Sequence, residues 1–164
     1  MNVEKDLEIK SNIPLSCFLD YVKHFIISKC EYLISSEFLP FTSNTTCSIE
    51  IYILRLLKFF NTQESTFVIA LIYLKRMKKR HKIVINSKNF HKLFLMSLTT
   101  ATKFNEDQVF QNSYYSLVGG IDLQEFNFLE MKFLELMEYS LFVQNKEFGT
   151  YLKFPGVLNT LNMY

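Results

Sequence analysis

Residues 86–107 read NSKNFHKLFLMSLTTATKFNED, and within them the ten positions from Leu93 to Thr102 carry no charge. A helix on a protein surface keeps one charged face, so a segment apolar on every side has to be enclosed by other elements. Ser97, Thr99, Thr100, Ala101 and Thr102 are small enough to let those neighbours approach closely. Asn86 or Ser87 can start the helix, because their side-chain oxygens accept from the free N–H groups of a first turn. Lys103 ends the uncharged run, and Phe104-Asn-Glu-Asp107 closes it with a polar loop. The expectation is a central helix from Ser87 to Phe104, with the rest of the chain arranged around it.

The flanking segments fit that expectation. Upstream, a helix from about Gln63 to Lys78 contains FVIALIYL, again apolar all round, and is expected to lie beside the central one. Lys75, Arg76, Lys78, Lys79, Arg80 and Lys82 follow as the most basic patch in the chain, then Ile83-Val84-Ile85, read as a loop with an apolar plug. Ser48 caps an earlier helix whose stripe is Ile49, Tyr52, Ile53, Leu56, Leu57 and Phe60. Residues 35–47 form a linker, and Pro14 opens an amphipathic N-terminal helix running to Ser35, preceded by a polar start over 1–12.

Downstream, NSYYSLV (112–118) makes one or two helical turns that end at Gly119-Gly120, glycine tolerating positive φ. Asp122 with Glu125 reads as a capping box for the last long helix, whose stripe is Phe126, Leu129, Phe133 and Met137. A short helix around Phe148, Tyr151 and Leu152 precedes Pro155-Gly156 and the tail. Helical periods throughout, with no internal repeat, make the chain all-α. It divides into an N-terminal helix and linker (1–45), a helical core (46–142) and a short C-terminal helix and tail (143–164).

Composition excludes several classes. With 164 residues, 49% hydrophobic and 21% charged, the chain suits one domain with a real core. A net charge of +2 is too small to argue for a nucleic-acid or membrane partner, which leaves protein partners favoured. Cys17, Cys30 and Cys47 are an odd number without CxxC spacing, so neither a disulfide framework nor a zinc site is implied. The charged start MNVEKDLEIK is unlike a signal peptide, and the longest apolar run, Phe67 to Leu74, is too short for a bilayer. An intracellular protein of cytoplasm or nucleus is the expectation. Four glycines, two adjacent and two near the end, cannot build a phosphate-binding loop, and His24, His81 and His91 have no metal-site spacing. No cofactor, no metal and no enzymatic activity are expected. His91 is read as packing or capping within its helix.

One residue stands out. Glu130 comes four residues after Phe126 and three before Phe133, so it projects from within the apolar stripe. It either lies at the stripe's edge, paired with a lysine, or faces a groove where another protein supplies donors. Lys103 poses the same choice, since a cation in a last helical turn is favoured by the dipole alone.

The segments ALIYLKRM (70–77), NFHKLFLMSLTTATKFNED (89–107), NSYYSLVGGI (112–121) and ELMEYSLFV (135–143) occur in the order and spacing of a cyclin box. They resemble in particular the P- or U-type, phosphate-pathway cyclins, and the GGI turn reached through NSYY is the most specific piece. The resemblance covers about residues 46–152. It implies a five-helix cyclin-box bundle around the central helix, with Pro14 to Ser35 as an added N-terminal helix. It also implies a non-catalytic regulatory subunit that binds a cyclin-dependent protein kinase as a heterodimer. Lys103 and Glu130 match the Lys and Glu with which cyclins hold the kinase αC helix and nearby backbone. Asp107 matches an acidic loop position that pairs with a kinase arginine, though a solvated loop aspartate fits as well. The two residues are therefore expected to meet in one exposed polar site.

Two positions depart from the pattern. Lys75 stands where most cyclins have an aspartate, and Thr45-Thr-Cys-Ser-Ile49 replaces the Met-Arg-Ala-Ile-Leu docking motif of cell-cycle cyclins. The rival reading is a cyclin-fold DNA- or protein-binding adaptor in transcription without a kinase, with Lys75 to Lys82 as its electrostatic footprint.

Overall fold

The computed structural model describes residues 36–152 together with Leu19 and Val22. A 3-10 helix (Ser36–Phe41) precedes α1 (Ile49–Phe59), α2 (Glu64–His81), α3 (Phe90–Asn105), α4 (Asn112–Gly119), α5 (Leu123–Leu136) and α6 (Asn145–Leu152). The fold is all-α, and among the described residues there is no strand. The expected N-terminal helix lies outside the described residues, except that Leu19 and Val22 are helical and Val22 is buried in the core. The polar start and the tail after residue 152 also lie outside them.

α3 is the central rod: every residue from Leu93 to Thr102 is buried. Its long neighbour is α2, and the small residues bring the two backbones together, with the Ser97 hydroxyl donating to the Ala70 carbonyl at 2.5 Å. α1, α4 and α5 close the remaining sides. His91, buried near the start of α3, packs edge-on against Tyr52, and its Nε2 lies 3.0 Å from the Cys47 carbonyl. Burial holds its pKa below the ordinary value, against the pull of the Cys47 and Ser87 carbonyls.

Asn86 forms a turn ahead of the helix, accepting the Lys88 N–H on Oδ1 at 2.9 Å and the Phe90 N–H on its carbonyl at 2.9 Å. The N-cap, however, is Asn89, whose side chain makes no capping bond, so neither Asn86 nor Ser87 is the cap. The regular helix begins at Phe90 rather than Ser87. The buried Asn89 side chain accepts from the Asn86 N–H and donates to the Val84 carbonyl, which holds residues 87–89 in a turn. Ser48 and Asp122 cap α1 and α5, and Gly120 closes α4 at φ 71°. Only half of the expected capping box forms, because Glu125 pairs with Lys92 at 2.7 Å.

The larger correction concerns the basic run. α2 continues to His81, three residues past the expected end, and Lys82 closes it in the left-handed region. Cations suit the last turn of a helix, and here Arg80 and its neighbour His81 also reach the far end of α5. The Arg80 Nη1 donates to the Met137 carbonyl at 2.7 Å, and His81 Nε2 lies 2.8 Å from the Leu136 carbonyl. Arg76 donates to the Ser140 and Phe142 carbonyls, both at 2.9 Å, and its fork grips Glu147 of α6. Val143 and Phe148 then cover Val68 and Ile72 of α2. Ile85 is buried as the plug of the following loop.

Candidate functional site

Three helices deliver one polar cluster. α3 ends with Lys103, α4 begins with Asn112, and α5 presents Glu130 midway along its length. Because α5 packs against both α3 and α4, the three side chains converge. Lys103 Nζ lies 2.6 Å from Glu130 Oε1, and the two side chains are 32% and 15% exposed. Lys103 also donates to Asn112 Oδ1. The Asn112 Nδ2 donates to Glu130 Oε2 at 2.9 Å and to Asn127 Oδ1 at 2.8 Å. The chain neighbours Phe104 and Met131 are 51% and 55% exposed, so apolar surface flanks the ions.

The expected meeting of Lys103 and Glu130 is thus present, as a direct ion pair made within the chain. Glu130 lies at the edge of its stripe and finds a lysine there, while the site stays open to solvent on one side. Asp107 is exposed in the bend after α3, and neither Lys103 nor Glu130 bonds to it.

Sequence reasoning passed over two residues. Asn112 was visible only as part of NSYY. Glu106, grouped with the polar loop, accepts from the Thr62 hydroxyl at 2.8 Å, from the Gln63 N–H at 3.0 Å and from the Thr66 hydroxyl. Gln63 is the N-cap of α2 and its own side chain makes no capping bond. A carboxylate from the end of α3 therefore does the capping, where the helix dipole favours it. The signal for it was a helix start lacking Ser, Thr, Asp or Asn at the cap. This bond anchors the chain immediately after Lys103 and so helps to fix where that lysine sits.

Burial pushes the Glu106 carboxyl up, but the donors from Thr66, Gln63 and Thr62 outweigh it and hold it below the ordinary 4.5. With the folded value depressed, its share of stability is complete above the unfolded value and is lost as pH falls through the folded one. Wild type is therefore expected to lose unfolding free energy below about pH 4.5 more steeply than Glu106→Gln. Near neutrality the variant is expected to be less stable by about 1–2 kcal/mol. Urea titrations across that range check both, and parallel pH profiles would refute the assignment.

Among the described residues no group of three or more His, Cys, Asp or Glu is placed to hold a metal ion, and Cys47 is a free thiol. No described helix is long and apolar enough to cross a membrane.

The family model described as Cyclin matches residues 21–141. The chain is similar to Cyclin-U4-1 of Arabidopsis thaliana, at 39% identity over 113 residues, 68% of this chain and 56% of that protein. Cyclin-P4-1 of Oryza sativa subsp. japonica is 39% identical over 105 residues, 63% of this chain and 50% of its own length. The PHO85 cyclin-like protein psl1 of Schizosaccharomyces pombe is 36% identical over 106 residues, 63% of this chain and 44% of its own. The chain thus spans about half the length of these curated relatives. The stretch 21–141 matched by the family model contains the central rod, the glycine turn and the Lys103–Glu130 cluster, and with these matches the chain belongs to the cyclin family, in its P/U type.

Proposed function

We propose that the chain is a non-catalytic, activating subunit of a cyclin-dependent kinase, and that Lys103 and Glu130 hold the kinase αC helix and nearby backbone. The observation that carries this reading is the ion pair itself, partly exposed at one edge with Phe104 and Met131 beside it. Two of the three ammonium hydrogens of Lys103 are engaged within the chain, so one donor remains for a carbonyl of the partner. The Glu130 oxygens keep lone pairs for a partner N–H. A backbone segment can therefore join the site without breaking the pair, and apolar contacts beside it supply area. Asp107, exposed just beyond, is placed in this reading opposite a kinase arginine.

A kinase of this class works only when its αC glutamate pairs with the β3 lysine and its magnesium-binding aspartate is aligned. A partner that binds only the competent position of αC shifts the population toward it. The chain needs no chemistry of its own for this. The basic run gives the adaptor reading little support, since Arg76, Arg80 and His81 are bonded to α5, α6 and the segment between them.

The name of psl1 directs the first test to a kinase of the PHO85 kind. Purified chain and purified kinase are expected to co-elute as a heterodimer, and peptide phosphorylation is expected to rise with the chain present and to be absent with the chain alone. If neither PHO85-type kinases nor the other cyclin-dependent kinases of the source cell bind or respond, the subunit reading fails.

A further inference from the structure

We infer that Asn112 is a positioning residue for kinase docking, one that holds Lys103 and Glu130 in a single geometry; the inference rests on the docking reading above. Both ends of its amide are engaged. Oδ1 accepts from Lys103, and the two hydrogens of Nδ2 go to Glu130 Oε2 and Asn127 Oδ1. The charges fix its orientation, because a half-turn would set the NH2 against the ammonium and the oxygen against the carboxylate. Lys103, Asn112 and Glu130 thus form a closed ring in which each residue bonds to the other two.

The ring matters because a lysine–glutamate pair that reaches solvent gains little from any one arrangement of its two long side chains. A third residue that bonds both ends selects one. The remaining Lys103 hydrogen and the free Glu130 lone pairs then keep fixed directions, so a partner meets groups already ordered and loses less on binding. α4 is itself held in place for this task. The Tyr114 hydroxyl donates to the Phe59 carbonyl at 2.8 Å, and the Tyr115 hydroxyl accepts the Phe110 N–H at 3.1 Å. The NSYY segment therefore has divided roles: its asparagine orders the ion pair, and its tyrosines anchor the helix that carries it.

The test measures affinity for the purified kinase used above with wild type, Lys103→Met, Asn112→Ala and the double variant. Asn112→Ala is expected to weaken binding about tenfold and to add no further loss once Lys103 is methionine. In the free 15N-labelled chain, the Lys103 ammonium signal is expected in wild type and lost in Asn112→Ala, while cooperative unfolding is retained. A merely structural asparagine would leave that signal in place and would give losses that multiply. Asn112→Asp, of the same shape but facing Glu130 with an oxygen, serves if the alanine variant does not fold and is expected to weaken binding as much. Wild-type affinity in the Asn112 variants, with Lys103→Met impaired, overturns the positioning role and leaves the docking reading standing. An unimpaired Lys103→Met overturns both.

Discussion

Lys103→Glu is expected to reduce affinity for the kinase at least about a hundredfold, more than any truncation at the site. Truncation removes one donor, but the reversal also sets a second carboxylate against Glu130, where the present separation is 2.6 Å. Asn112 cannot relieve the conflict, because its oxygen faces the residue at 103 and would meet another acceptor. The α3 terminus adds its own penalty, since negative charge in a last helical turn opposes the dipole. The free domain is expected to lose only about 1–2 kcal/mol, the site being partly solvated. Calorimetry of the free variant and titration against the kinase separate the two effects. Equal affinity for wild type and variant would remove Lys103 from the interface.

Gly119→Val is expected to destabilise the chain by about 2–3 kcal/mol. Gly119 ends α4 against the side of the central helix. A Cβ there would stand 2.9 Å from Leu95 Cδ1, 3.2 Å from its Cγ and closer still to Cδ2. Leu95 is fully buried and has no free rotamer to retreat into. A melting point lower by roughly 5–10 °C would register the clash. Leu95→Ala in the same chain is expected to recover part of it, since the atoms removed are those the new side chain meets. Gly120→Ala is milder, about 1 kcal/mol, because its difficulty is the positive φ rather than space. An unchanged melting point for Gly119→Val would mean that α4 sits farther from α3 than the structure has it.

The central helix was legible because its signal is internal: ten uncharged residues in a row admit one environment. Caps at Ser48 and Asp122 were legible for the same reason, each acting within three residues of itself. Lys103 and Glu130 stood out because each broke a pattern, one by ending an apolar run and the other by interrupting a stripe, but it was the resemblance to a cyclin box that brought the two together. Asn112 breaks no pattern. Its partners lie 9, 15 and 18 residues away on two other helices, and an asparagine at a helix start is ordinary. Glu106 acts over 40 to 44 residues, a separation at which spacing carries no information. The end of α2 was misjudged because a dense run of cations suggests a solvated loop, whereas Arg76 and Arg80 of this run, with His81 beside them, have carbonyls and a carboxylate waiting on other elements.

These bonds from Arg76, Arg80 and His81 have a consequence for how the molecule melts. The last carbonyls of α5 are answered by α2 rather than by solvent, and just beyond them Glu138 and Tyr139 occupy left-handed backbone at φ 50° and 54° without glycine's freedom. Such a pair costs about 1–2 kcal/mol per residue and persists only where tertiary contacts over-determine it. Fraying at this end of α5 must therefore tear Arg80 and His81 from their acceptors, and Arg76 holds the segment just beyond, which couples the terminus of one helix to the terminus of another and suppresses independent opening of either. Removing those three side chains perturbs cooperativity before it perturbs surface potential, so a mutational scan of this segment reports folding at Arg76, Arg80 and His81.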